Sequence, residues 1–253
     1  MGIVNQRVVA KEGIAEERWQ QWPGLQAISE IQVSALIPAK KRLVIVAPHP
    51  DDEILMAGGL LQQLALQGNP RHIVAVTDGE ASHPGSAQWP PERLVQERPR
   101  ESEAALQNLG AGTISMTRLA LPDGKLLEHA VPLYDALLAV IKPGDVVLTT
   151  WAMDGHPDHE VCGRVAESAA MDRQARFIAA PVWMWHWATP NDLRVPWHKA
   201  RRLVLCAKEI AHKHSSMLAF GSQLAADPTS GRDAVLPPTM LARLSRNNEI
   251  FFL

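Results

Sequence analysis

The sequence predicts an α/β fold: a three-layer sandwich in which a mostly parallel sheet lies between helices, formed as a single domain. From Leu43 onward, short β-branched apolar runs alternate with stretches of helical apolar spacing. Strands separated by helices of roughly ten to fifteen residues are what parallel βαβ units require. The chain has 253 residues, 46% of them hydrophobic and 21% charged, enough for one sizeable core without covalent staples.

Residues 1–41 read as an N-terminal arm on a main domain of residues 42–253. The arm mixes charge with Trp19 and Trp22, is weakly amphipathic around Glu16–Gln32, and ends at Pro38 and the basic Lys40–Arg42. We expect it to pack on the domain surface, with a solvated basic patch. Leu43–Pro48 is then a buried strand by length and branching, and Ile54–Gln67 a helix stopped by Gly68-Asn69-Pro70. His72–Thr77 follows as a strand, Glu101–Leu109 as a helix ended by Gly110, and Thr113–Leu119 as a strand. Val131–Ile141 reads as a helix closed by Pro143-Gly144. Asp145–Trp151 is the next strand, leading into a helix from Pro157 to about Ala170. Phe177–Trp185 and Arg202–Cys206 are further strands, Lys208 to about Phe220 a helix, and Ala226–Pro238 the most loop-like segment.

Composition excludes several classes. A net charge of -2 gives no general attraction to nucleic acid or an anionic membrane. No apolar run approaches the ~20 residues of a membrane helix. The first forty residues lack the basic-then-apolar order of a signal peptide, so a cytoplasmic location is expected. Cys162 and Cys206 stand far apart and make neither a disulfide framework nor a thiolate zinc site; two buried free thiols are expected. Oligomeric state stays open.

The chemistry lies in two clusters. One strand runs into Pro48-His49-Pro50-Asp51-Asp52-Glu53, another into Asp154-Gly155-His156-Pro157-Asp158-His159, and each cluster precedes a helix. In parallel α/β sheets, ligands bind beyond the carboxyl ends of strands. Imidazole and carboxylate suit a divalent transition metal where no thiolate is at hand, zinc above all. His49, Asp52 and His159 would supply two His and one Asp and leave Asp51 uncoordinated. A zinc ion lowers the pKa of its bound water from about 15.7 to about 7. Asp51 could then take the remaining proton, and His156 could stabilise an oxyanion. Either cluster alone could be helix capping, since Asp before a helix and Pro at its first position are routine. Two such clusters after two strands favour the metal site. Iron(II) fits the same ligands.

At these residues the sequence resembles a known family. Ala47-Pro48-His49-Pro50-Asp51-Asp52-Glu53 is similar to the A-[HP]-H-P-D-D-E signature of the PIG-L/LmbE-like deacetylases, and His156-Pro157-Asp158-His159 to their second metal motif. Weaker similarities are Thr77-Asp78-Gly79-Glu80, Arg98 with Glu101 and Leu109-Gly110, Leu121-Pro122-Asp123-Gly124, and Glu249-Ile250-Phe251. The resemblance implies a Rossmann-like sandwich and zinc-dependent deacetylation of N-acetylglucosaminyl conjugates. It implies His49, Asp52 and His159 as metal ligands, Asp51 as general base and His156 as electrostatic or acid partner. It also places Arg98 and Asp123 at positions that contact the sugar, although Arg98 reads equally as a helix-surface charge and Asp123 as a turn residue before Gly124.

There are departures. Some members carry a Tyr five residues before the last metal His, where this chain has Asp154, and His214-Ser215-Ser216-Met217 matches the family's H-x-S-Q element only in part. Trp183, Trp185 and Trp187 alternate, which on a strand puts all three on one face, for a sugar ring or, as we favour, for packing. His72, His83, His129, His186, His198 and His212 have no partner spacing and read as structural. The expected function is metal-dependent deacylation of an N-acetylated amino sugar or its small-molecule conjugate. The alternatives are an amidase on a thiol-sugar conjugate or another small amide, and a non-catalytic carbohydrate-binding module. Asp51 argues against the module, because a binder needs no base beside its metal.

Overall fold

Two strands, β1 (Leu43–Ala47) and β4 (Val146–Thr150), are buried along their whole length because they are neighbours near the middle of the sheet. The computed structural model describes residues 13–253, so the first twelve residues of the arm lie outside it. The other strands are β2 (Arg71–Thr77), β3 (Ser115–Leu121), β5 (Arg176–Ala180), β6 (Ala200–Val204) and β7 (Asn248–Phe252). They form one seven-stranded sheet in the order β3-β2-β1-β4-β5-β7-β6. Strands β1 to β5 run parallel, and β7 is antiparallel to both its neighbours.

Alternate residues of β1 sort the core into two layers. Leu43, Ile45 and Ala47 pack with Leu60, Leu64 and Met217 of α4 (Asp52–Gln67) and α9 (Ala207–Met217). Val44 and Val46 face Leu133 and Val161 of α6 (Ala130–Val140) and α7 (Pro157–Asp172) on the other side. Period-two alternation with both faces covered produces the three layers. No helix among the described residues is long and apolar enough to cross a membrane.

After β1 the chain winds outward through β2 and β3, and after β4 it winds the opposite way. The order therefore reverses between β1 and β4, and the loops leaving their carboxyl ends open a crevice there. Those loops carry the two polar clusters.

Several elements depart from the sequence expectation. Helix α5 (Pro91–Leu109) begins ten residues before Glu101 and runs through Pro99. Pro99 has no N–H for the carbonyl of Val95 one turn back, and Arg118 Nη2 donates to that carbonyl instead, at 3.1 Å. The strand expected over Phe177–Trp185 stops at Ala180, and Trp183–Trp187 coil into the one-turn helix α8 (Met184–Trp187). The tryptophans therefore share no strand face: Trp185 and Trp187 are buried, while Trp183 is half-buried. Strand β7 is an addition, inserted between β5 and β6. Cys206 is exposed, whereas Cys162 is buried. Arg42 is no free surface charge but pairs with Asp145.

The N-terminal segment holds α1 (Glu16–Gln20), α2 (Pro23–Ala27) and α3 (Val33–Leu36); between α2 and α3, Ile31 N donates to Arg202 O of β6, and Arg176 of β5 donates to Ala35 O and Leu36 O of α3 at 3.1 and 3.0 Å. Trp19 is fully buried, edge-on to Trp185 at 5.0 Å. The remaining α-helices are α10 (Gly221–Leu224) and α11 (Pro238–Leu244), and a 3-10 turn over Trp197–Lys199 precedes β6. Helix α4 breaks at Ala57 (φ -145°, ψ 17°). Glu249 of β7 accepts there from Gly59 N and Leu60 N at 2.7 and 2.9 Å, and Lys213 donates to Leu55 O at 2.9 Å. The groups freed by the break are thus satisfied inside the core.

Candidate active site

The turn between β1 and α4 is pinned from outside. Pro48 O accepts from the Thr77 N–H and hydroxyl at 3.1 and 2.9 Å, so the end of β2 holds the start of the turn. Within the turn Asp51 takes φ 139° and ψ -33°, a conformation that favours glycine. It directs the Asp51 and Asp52 side chains to different partners. Arg98 of α5 donates to Asp51 Oδ2 at 2.9 Å, to Pro50 O at 2.8 Å and to Gly79 O at 3.0 Å. Gly79 (φ +69°) makes room for this guanidinium, since a Cβ there would stand 1.8 Å from Arg98 Nη1.

Asp52 faces inward. Its Oδ2 lies 3.2 Å from His49 Nδ1, and His159 Nε2 lies 3.3 Å from each of those atoms. Three donor atoms at the corners of a near-equilateral triangle match a tetrahedral zinc site, in which bonds of about 2.0–2.1 Å set neighbouring ligand atoms about 3.3–3.4 Å apart. The donor set of two imidazoles and one carboxylate fits the same ion.

The second nitrogen of each imidazole meets carboxylate. His159 Nδ1 is 2.8 Å from Asp154 Oδ2, and His49 Nε2 is 3.1 Å from Asp123 Oδ1 and 3.4 Å from Asp158 Oδ2. Asp154 is itself fixed by the N–H groups of Val182, Trp183 and Met184, each at 2.9 Å, which is why the chain after β5 coils instead of extending. Asp158 is held by Gly124 N and Leu126 N at 2.7 and 3.2 Å. Carboxylates behind metal-binding histidines orient the ring and raise its basicity. The sequence reading missed Asp154 and Asp158 in this role, although Asp154 stood in view as the residue five before His159.

Electrostatics follow from this crowding. Burial alone would lower His159, but Asp52 and Asp154 outweigh it and push the imidazole up to about 9. His49 is likewise raised against its burial by Asp123, Asp158 and Asp52. Burial would raise Asp52, yet His159 and His49 hold it far below the usual carboxylate range. The protein without an ion thus gathers protons where a divalent cation would balance the same carboxylates. Asp51 differs: burial pushes it up to about 7 against the pull of Arg98. His156 is lowered to about 2 by burial and by the neighbouring His159 and His49. It is therefore neutral, and its Nδ1 accepts from Asp158 N at 3.3 Å, which leaves the proton on Nε2.

All seven residues singled out in the sequence, His49, Asp51, Asp52, Arg98, Asp123, His156 and His159, line one cavity of about 380 Å³. Its outer wall includes Leu55, Pro84, Trp183, Arg232, Val235 and Leu236. The volume lies at the small end of ligand pockets.

A divalent ion on the triangle would depend on Asp154. Asp154→Asn can keep an oxygen for the N–H groups of Val182 and Met184 but puts an uncharged amide where Oδ2 meets His159 Nδ1 and Trp183 N, and should weaken metal affinity about 10–100-fold. Competition against a chelator measures this, and parental affinity would show that His159 needs no carboxylate behind it.

Comparison with known proteins bears on the same segment. The family model "PIG-L: GlcNAc-PI de-N-acetylase" matches residues 44–170, half of the chain. A 1D-myo-inositol 2-acetamido-2-deoxy-alpha-D-glucopyranoside deacetylase of Rhodococcus opacus is 29% identical over 161 residues, 52% of this chain and 53% of the relative. The chain spans about half the length of that curated relative. Among solved structures, the N,N'-diacetylchitobiose deacetylase of Pyrococcus horikoshii is 20% identical with a TM-score of 0.52, covering 71% of this chain and 69% of that one. The A40926 pseudoaglycone deacetylase is 20% identical with a TM-score of 0.61, covering 84% and 96%. At such identities the two structures show a shared fold. The family match includes both strand-end clusters, and on that ground the chain belongs to the PIG-L family of GlcNAc-PI de-N-acetylases.

Proposed function

We propose that the protein is a metal-dependent hydrolase that removes an acyl group, acetyl in the simplest case, from the amide nitrogen of an N-acetylated amino sugar or its conjugate. One observation carries the reading: the donor triangle of His49, Asp52 and His159 with a separately held carboxylate, Asp51, beside it in the same cavity. The names of the relatives support the substrate class.

His49, Asp52 and His159 would hold a zinc or iron(II) ion, which would supply Lewis acidity and make water a better nucleophile at neutral pH. Asp51 accepts the proton of the attacking water, because Arg98 and the turn hold its carboxylate at the cavity. As the C–N bond breaks, Asp51 returns that proton to the leaving nitrogen, so the products are an amine and a carboxylic acid, whose remaining proton passes to the amine or to solvent at neutral pH. His156 presents Nε2–H and donates to the oxyanion that develops on the acyl carbonyl. Arg98 has N–H groups beyond the three that bond Asp51, Pro50 and Gly79, and Asp123 has lone pairs beyond those facing His49 and Ala81. In this reading both reach sugar hydroxyls as well.

The test is a screen of N-acetylated amino-sugar conjugates for release of free amine, with metal-free protein as control. Metal-loaded protein should release amine from at least one of them, and the control from none. No amine from any conjugate would sink the hydrolase reading.

A further inference from the structure

The outer wall of the cavity holds a charge that the hydrolytic machinery does not use. Five ionisable side chains other than histidine line the cavity: Asp51, Asp52, Asp123, Arg98 and Arg232. Four are engaged at its floor, Arg98 with Asp51 at 2.9 Å and the two other aspartates with the histidines. Arg232 pairs with no described carboxylate.

The turn that carries Arg232 is built to keep it so. Asp227 and Arg232 close the turn, with Asp227 N donating to Arg232 O and Gly231 N to Asp227 O, both at 2.9 Å. The nearby Asp227 carboxylate could have quenched the guanidinium, but it accepts instead from Thr229 N at 2.9 Å, Thr229 Oγ1 at 2.7 Å and Ser230 Oγ at 2.6 Å. The turn is also clasped to the facing wall, where Thr229 Oγ1 accepts from Ala87 N and Gln88 N at 3.0 and 3.2 Å. Pro84 on that wall lines the same cavity. Arg232 is thus an exposed cation on a braced loop at the cavity mouth, with its fork of donors open. A sugar hydroxyl can accept from such a group but does not balance its charge. A phosphate or carboxylate matches it in both charge and geometry.

We propose that Arg232 forms an anion subsite at the mouth of the cavity, and that the substrate carries an oxyanion, phosphate or carboxylate, on the part of the conjugate away from the N-acyl group. This rests on the hydrolase reading above. The metal-loaded protein is assayed for amine release from three N-acetylglucosamine derivatives: the neutral methyl glycoside, the 1-phosphate, and the glycoside of glycolic acid. Parent kcat/KM should favour one or both anionic derivatives over the neutral one roughly tenfold at low salt, less as ionic strength rises. The derivative favoured distinguishes phosphate from carboxylate. In Arg232→Gln the anionic-to-neutral ratio should fall to about one, and Arg232→Lys should restore part of it. The ratio is the readout because a general loss of activity moves both sides equally. Turnover of the neutral glycoside with no anionic preference in the parent, or a preference that survives Arg232→Gln, overturns the subsite alone. Absence of amine from all three derivatives overturns the hydrolase reading and the subsite with it.

Discussion

Asp51→Asn should lower kcat about 10²–10⁴-fold while the protein keeps its metal. The carboxamide preserves the shape of the side chain and can still accept from Arg98 Nη2, which sits 2.9 Å away in the parent, so the turn has no reason to rearrange. What it loses is the capacity to take a proton at neutral pH. The pH profile makes the loss specific. Burial pushes the Asp51 carboxyl up to about 7, with Arg98 opposing, and a base works in its ionised form. Parent kcat/KM should therefore rise with pH along an acid limb at about pH 7, or lower where a cation sits beside the carboxylate, and Asp51→Asn should lose that limb. Should Asp51→Asn empty the site while Asp52→Asn leaves it filled, the two aspartates have exchanged roles.

The other large effect is loss of the metal. Purified protein should hold about one divalent ion, in keeping with the three-ligand pattern of open zinc sites. His49→Ala or His159→Ala should reduce that to near zero by elemental analysis. His159 is fully buried, so circular dichroism must accompany the measurement; for His49, 9% exposed at the cavity, the fold should be untouched. Each of these rings contributes one corner of the 3.2–3.3 Å triangle, and two corners do not retain the ion against buffer. A full complement of metal in both variants would remove the ligand assignment.

Much of this site was legible before the structure. Strand, polar cluster, then helix, repeated twice, marks where parallel sheets place ligands, and the reversal of strand order between β1 and β4 explains why the two clusters meet. Positions three apart, His49 with Asp52 and His156 with His159, lie within reach of a helical turn and needed no long-range information. Asp154 was different. Its role depends on N–H groups from Val182 to Met184, 28 to 30 residues away, and no local spacing encodes that. The same contact turned an apparent alternation of tryptophans into a helical turn. The helix expected from Glu101 reaches back through Pro99 to Pro91, because the group that satisfies the Val95 carbonyl, Arg118, comes from a neighbouring strand. Strand β7 pairs between β5 and β6 at the far end of the chain, and a run as short as Asn248–Phe252 carries too few alternations to be read alone.

The backbone of Asp51 has a consequence for how this chain can change over generations. At φ 139° an aspartate is held in a region glycine enters freely, at a cost on the order of 1–3 kcal/mol, and its carboxyl is desolvated as well. Glycine at that position would relieve both burdens, and Arg98 would still have Pro50 O and Gly79 O to bond. With Asp51 in the proposed role of base, folding and chemistry pull in opposite directions at residue 51. A descendant that no longer needed that base would be free to take glycine at this turn while the sheet beneath stayed intact.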